Sequence, residues 1–158
     1  MQGDLSALIE RVEKCSKPDF LLEREIAKAI GGWRESKFWF TNINGSTEAT
    51  TLWHPEKHSV EEWAKVTEFD PYLPQASEAP AYTSSLDAAL ALVEEQLPGW
   101  TRLVDATAPE LGICVELFPS GDIAERTESA RGDHNRETHA TLLALLRALS
   151  NGSKEGVA

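Results

Sequence analysis

The chain has 158 residues, enough for one ordinary domain with its own core. Its formal net charge is −11, spread evenly: the first 80 residues hold 9 cationic and 14 acidic side chains, the rest 6 and 12. This excludes an acidic tail, a basic arm and the clustered cations that non-specific nucleic-acid binding needs, while 41% apolar residues argue against general disorder.

No apolar run approaches the roughly 18 residues of a membrane span. Cys15 and Cys114 make no disulfide framework, and Met1-Gln2-Gly3-Asp4 lacks the basic and apolar regions of a secretory leader. A cytoplasmic protein with reduced thiols is expected.

Leu5, Leu8, Ile9, Val12 and Cys15 follow helical spacing and predict a first helix capped by Asp4. Ser16-Lys17-Pro18-Asp19 stops it and starts a second, with Leu22, Ile26, Ala29 and Ile30 on one side and Gly31-Gly32 at its end. Residues 37–43 are aromatic and β-branched, hence a strand, and 49–53 return after an Asn44-Gly45 hairpin turn. Ser59-Val60-Glu61-Glu62 has capping-box spacing and opens a short helix through Val66. Residues 70–81, with Pro71, Pro74 and Pro80, read as a surface loop.

Ser84-Ser85-Leu86-Asp87 opens the clearest helix, with Leu86, Ala89, Leu90, Val93 and Leu97 as its buried stripe and Pro98-Gly99 as its stop. Trp100 to about Asp105 and residues 112–118 predict two strands, joined to a weak third at 123–127 by the turn Pro119-Ser120-Gly121-Asp122. Arg126 to Arg136 reads as irregular. A last helix covers about Asn135 to Leu149, with Leu142, Leu145, Leu146 and Leu149 as its core and Ser150-Asn151-Gly152 as its end. The expected class is α+β, helices packed on antiparallel β-hairpins in the order α-α-β-β-α-α-β-β-(β)-α. Residues 1–150 form one domain and 151–158 fray.

Catalytic signals are absent. His54 and His58 have i, i+4 ligand spacing, but Pro55 and the Ser59 cap place them before the helix, as exposed loop side chains. His134 and His139, five apart, face different sides of a helix, and no zinc pattern occurs. Cys15 and Cys114 read as buried small apolar residues. No nucleophile elbow, P-loop or dinucleotide fingerprint is present, so no catalytic residue, metal or cofactor is expected.

Two features suit an anion. Tyr82-Thr83-Ser84-Ser85 places hydroxyls where a helix exposes free N–H groups; alternatively one hydroxyl caps and the others face water, as Asp87 in the first turn favours. Arg126, Arg131, His134 and Arg136 form a cationic segment interleaved with Glu125, Glu128, Asp133 and Glu137, either local ion pairs or guanidinium forks aimed at a phosphate or carboxylate. Trp33, Trp39, Trp53, Trp63 and Trp100 are mostly core, but Trp39 and Trp53, on opposite arms of the hairpin, can stack on a planar ring. The candidate ligand-binding residues are Tyr82, Thr83, Ser85, Arg126, Arg131, Arg136, Trp39 and Trp53.

The run Tyr82-Thr83-Ser84-Ser85-Leu86-Asp87-Ala88-Ala89 through Leu90-Ala91-Leu92-Val93, ending at Pro98-Gly99-Trp100, resembles a family of small uncharacterised phage and prophage proteins. So do the opening Leu8-Ile9-Glu10-Arg11-Val12-Glu13, Pro18-Asp19, Ile26-Ala27 and the closing helix at 140–149. About half the chain is covered. Residues 37–81 and the Glu94-Glu95-Gln96 extension depart from the family's short versions. The resemblance carries no catalytic residue. It implies a phage-type accessory protein, of a kind that often counters host defence, acting in the host cytoplasm.

The resulting expectation is a non-enzymatic binder of a small anionic ligand, sequestering a nucleotide signal of antiviral immunity, with homo-oligomerisation helping to form the pocket. The alternative is an acidic inhibitor that its charge steers toward a basic surface of a host protein. An enzyme of unknown reaction is third, and no motif supports it. The closing α-β-β-(β)-α order matches double-stranded RNA-binding domains, but its acidity excludes that reading.

Overall fold

Alternating stretches of helical and two-residue periodicity fold into helices and two small antiparallel sheets, the α+β class, in a computed structural model that describes residues 4–43, 45–56, 79–107, 109–120 and 129–155. The chain divides into two compact units, residues 1–23 with 81–158, and residues 24–80. The expected helix at 59–66 and the third strand at 123–127 lie outside the described residues, as does all of the 70–81 loop before Ala79.

In the first unit, α1 (Ser6–Lys14) starts after Leu5, and Asp4 Oδ1 accepts from the Ser6 N–H at 2.9 Å. Asp19 caps α2 (Phe20–Ala29): its Oδ1 accepts from Leu22 N–H. The division between units falls inside α2, after Glu23.

Ser85 caps α3 (Leu86–Gln96) by accepting from Ala88 N–H at 3.2 Å. Its buried residues are Ala89, Leu92 and Val93; Leu92 replaces the expected Leu90, which is half-buried. Gly99, at φ 81°, turns the chain into β3 (Trp100–Asp105), as expected. A short 3-10 turn (Pro109–Leu111) leads to β4 (Ile113–Pro119), and β5 is Ala130–His134.

The strands form an antiparallel sheet in the order β3-β4-β5. The expectation that Arg126 to Arg136 is irregular is thus corrected at 130–134. Ala130 and Gly132 pair with Leu117 and Val115, and these four turn one buried face toward α4 (Glu137–Glu155). Arg131 and Asp133 point the other way.

The helix α4 lies across β4 and β5, and α1 and α3 pack on it. Covered on several sides, it is buried at every position from Thr138 to Leu146, the pattern of a central helix. Its leucines each contribute about 1.5–3 kcal/mol of burial. The helix continues past the expected Ser150-Asn151-Gly152 stop to Glu155, because extending a formed helix costs far less than starting one.

The second unit holds the rest of α2 and the hairpin of β1 (Arg34–Asn42) and β2 (Gly45–Trp53). Ile26 and Ala27 of α2 and Ile30 just after it are buried, whereas Ala29, placed on the apolar side by the sequence, is exposed. The hairpin pairs Asn42 with Gly45, so its two-residue loop sits one position earlier than an Asn44-Gly45 turn requires. Gly32, at φ 76°, ends α2 beside His54.

Candidate functional site

Of residues 82–85, Tyr82 and Thr83 turn into the fold, Ser85 is half-buried and Ser84 is exposed. Thr83 is fully buried and its Oγ1 accepts from Asp19 N–H at 2.8 Å. Its hydroxyl and its backbone N–H both donate to the Glu23 carboxylate. Tyr82 is buried, Ser85 serves as the helix cap, and Ser84 Oγ faces Ala81 O at 3.5 Å. Glu23 is buried with Oε2 unpartnered; burial raises its pKa, and the two Thr83 hydrogen bonds work against that shift. A carboxylate beside these hydroxyls opposes an anion there.

The cationic segment is dispersed. Arg126 lies outside the described residues. Arg131 projects from β5 and grips Asp133 at 3.1 Å, an exposed pair of little energetic weight. Arg136 occupies the turn before α4; its N–H donates to His134 Nδ1 at 3.0 Å. Trp39 sits opposite Glu48 and Trp53 opposite Arg34, five positions apart along the ribbon, so the register does not set them side by side. Arg34 lies over the Trp53 ring at 5.5 Å.

The histidines depart from their expected settings. His54 is buried, not exposed. The Glu56 N–H donates to its Nδ1 at 3.1 Å and its Nε2 faces Gly31 O at 3.1 Å, so one tautomer satisfies both nitrogens. His58 lies outside the described residues. His134 and His139 do not face different sides of one helix. His134 ends β5, His139 lies in the first turn of α4, and their rings stack with centroids 4.6 Å apart and planes at 16°.

His139 is fully buried, and neither ring nitrogen has a hydrogen-bond partner of good geometry. Burial, then the His134 and Arg136 charges, pushes its pKa down to about 4; the Lys17 backbone acts weakly in the opposite sense. Burial lowers His134 as well.

Both cysteines are half-buried rather than buried. Cys15 follows α1 and its Sγ donates to Lys17 O, while burial, with Asp133 beside it, raises the Cys114 thiol. Among the described residues no group of three side chains is arranged to hold a metal ion, and no helix is long and apolar enough to cross a membrane.

The sheet has a second feature, which spacing alone did not mark. The cover of α4 falls on β4 and β5, and β3 is an edge strand whose one neighbour among the described residues is β4. Leu103 and Val104, on its two faces, are 44% and 41% exposed, and Leu111 in the following turn is 81% exposed.

Carboxylates border this edge. Asp105 accepts from the Thr107 hydroxyl and N–H, which hold it below the usual carboxylate range. Glu110 is exposed, and Glu116 stands across from Leu103. Arg102, on the α4 side, is taken up by Glu137 at 2.9 Å. The predicted strand at 100–105 was the available signal, because Leu103-Val104 puts one apolar residue on each face.

No family model matches the chain, and no curated protein or solved structure is significantly similar to it.

Proposed function

We propose that this is a non-enzymatic acidic binding protein that takes a basic, extended segment of a partner protein along the edge of β3. The exposure of Leu103 and Val104 on an edge strand carries the reading. An added strand gains main-chain hydrogen bonds from the edge and apolar contact on both faces. Asp105, Glu110 and Glu116 supply the opposite charge for its lysines or arginines, within an overall charge of −11 that speeds the approach of a basic partner. The reading suits the phage-type accessory role that the resemblance implies, and it favours the protein-binding expectation over the small-ligand one.

The test is affinity capture from host lysate with the wild type and with Leu103→Lys, followed by cross-link mapping. A basic protein cross-linked beside β3, eluted by about 0.5 M salt and lost from a variant with unchanged melting, is the expected result. Equal capture by both proteins sinks the assignment.

The nucleotide-sequestration reading keeps one observation, the grouping of Arg136 with His134 and His139. Mixing the protein with linear and cyclic nucleotides, filtering, and heating the retained fraction decides it. A nucleotide depleted and returned intact supports sequestration, one returned altered means an enzyme, and no depletion removes the reading.

A further inference from the structure

The connector between α1 and α2 meets polar side chains of the same unit at both ends, Thr83 and His139 buried and His134 half-buried. At one end the Asp19 N–H donates to Thr83, which also serves Glu23. At the other, His134 meets the Cys15 backbone and His139 the Lys17 backbone, contacts that favour the charged rings but are outweighed by burial. The two ends differ in how they meet a proton. A proton on Glu23 removes a buried charge. A proton on His139 creates one, in a fully buried ring whose nitrogens have no partner of good geometry and only the Lys17 backbone to favour the charge.

The elements around His139 bring no compensating anion to it. His134 comes from β5 and Arg136 from the turn before α4, and both oppose a positive charge on it. The connector brings the Cys15 thiol and Lys17, whose side chain is cationic. On α4 itself, Glu137 is paired with Arg102 of β3. On α1, Glu13 is paired with Arg147 of α4. Asp19 caps α2, and Asp133 is on the opposite face of β5, bound to Arg131. The acidic residues of α3, Asp87, Glu94 and Glu95, are exposed. None of these carboxylates is among the charges that act on His139.

We propose that the stacked His134–His139 pair is an acid-sensitive latch: with neutral rings it keeps α1 and the 15–19 connector seated on α4, and a proton from solvent on a ring nitrogen of His139 releases them. The stacking itself supports this. Two parallel neutral imidazoles 4.6 Å apart attract, whereas a protonated ring beside its neighbour and Arg136 adds cation to cation. The α1 side is the one to open because the connector meets the rings only through the Cys15 and Lys17 backbones, while the sheet side of α4 is sealed by Val115, Leu117 and Ala130.

Hydrogen exchange by mass spectrometry between pH 7.5 and 4, corrected for the intrinsic rate, reads the latch. Exchange of residues 6–19 is expected to quicken about tenfold per pH unit below about 6.5, since the opened form takes up one proton that the closed form excludes. The amides of β4 stay protected, and His139→Phe flattens the response. Titration of carbon-13-labelled histidine in the wild type, which needs no variant to fold, is expected to show His139 titrating well below an ordinary histidine. The latch is overturned by flat exchange of 6–19 down to pH 4, by simultaneous loss of protection in β4, by an unaltered response in His139→Phe, or by an ordinary His139 titration.

Discussion

The two edges of the three-stranded sheet are built in opposite ways. Each residue of β5 from Arg131 to His134 is engaged: Arg147 of α4 donates to the Arg131 carbonyl, the Arg131 and Asp133 side chains pair, Gly132 lies against the α4 backbone, and His134 stacks on His139. On β3, the helix-side Arg102 is tied to Glu137, but Leu103 and Val104 stand in solvent. Edge strands are ordinarily blunted by charge or by cover, because an open edge recruits other chains. This molecule blunts one edge with both devices and leaves apolar residues on the other, so the contrast locates stability on β5 and availability for binding on β3.

Gly132→Ala attacks the β5 side hardest. Its φ is unremarkable, but an added Cβ would meet the Ala140 carbonyl oxygen and lie 2.7 Å from Ala144 N, both backbone atoms that cannot swing away. We expect a loss of about 3 kcal/mol or more in denaturant unfolding; a near-neutral change would show that β5 and α4 are not in close contact.

Acid comes next. His139 is neutral in the fold with a pKa of about 4 and titrates near 6.5 when unfolded, so its contribution is complete above pH 6.5 and is lost as pH falls to 4. The slope amounts to on the order of 3 kcal/mol across that window. His139→Phe should flatten the pH dependence of unfolding there, and an unchanged slope would count against the burial of a neutral ring.

Arg147→Ala removes the donor to the β5 edge and the partner of Glu13, both partly exposed. We expect about 1 kcal/mol in thermal unfolding. Leu103→Lys, on the open edge, should change stability by no more than about 0.5 kcal/mol; a large loss would mean that β3 is covered and the contrast is false.

Much of this architecture was legible in the sequence. The hairpin, α3 and β3 followed from Asn-Gly, from Ser-Ser-Leu-Asp and from Pro-Gly before Trp100, all local signals. The strand β5 did not, because Ala-Arg-Gly-Asp-His has the alternation of a strand but none of the branched or aromatic residues that favour one. Its small inward residues make sense only once α4 presses on them. That miss hid the histidine pair, since His134 and His139 cannot be placed together while both are assigned to one helix.

His54 was misjudged for a similar reason: the Gly31 carbonyl that makes its burial tolerable lies 23 residues away. At 82–85 the residue types were right for hydrogen bonding, but their partners, Asp19 and Glu23, came from a distant part of the chain. Local pattern could not reveal them.

The first unit is assembled from two ends of the described chain. Glu13 of α1 meets Arg147 of α4 across a separation of 134 residues. On the ribosome, α1 emerges before α4 and must wait for the intervening chain before the helix it packs on exists. Residues 24–80 lengthen the separation that this contact must close, and closing so long a loop slows folding more than it weakens the folded state. Until α4 arrives, the apolar side of α1 has no permanent neighbour, which makes the nascent chain rather than the finished protein the form most exposed to chaperones.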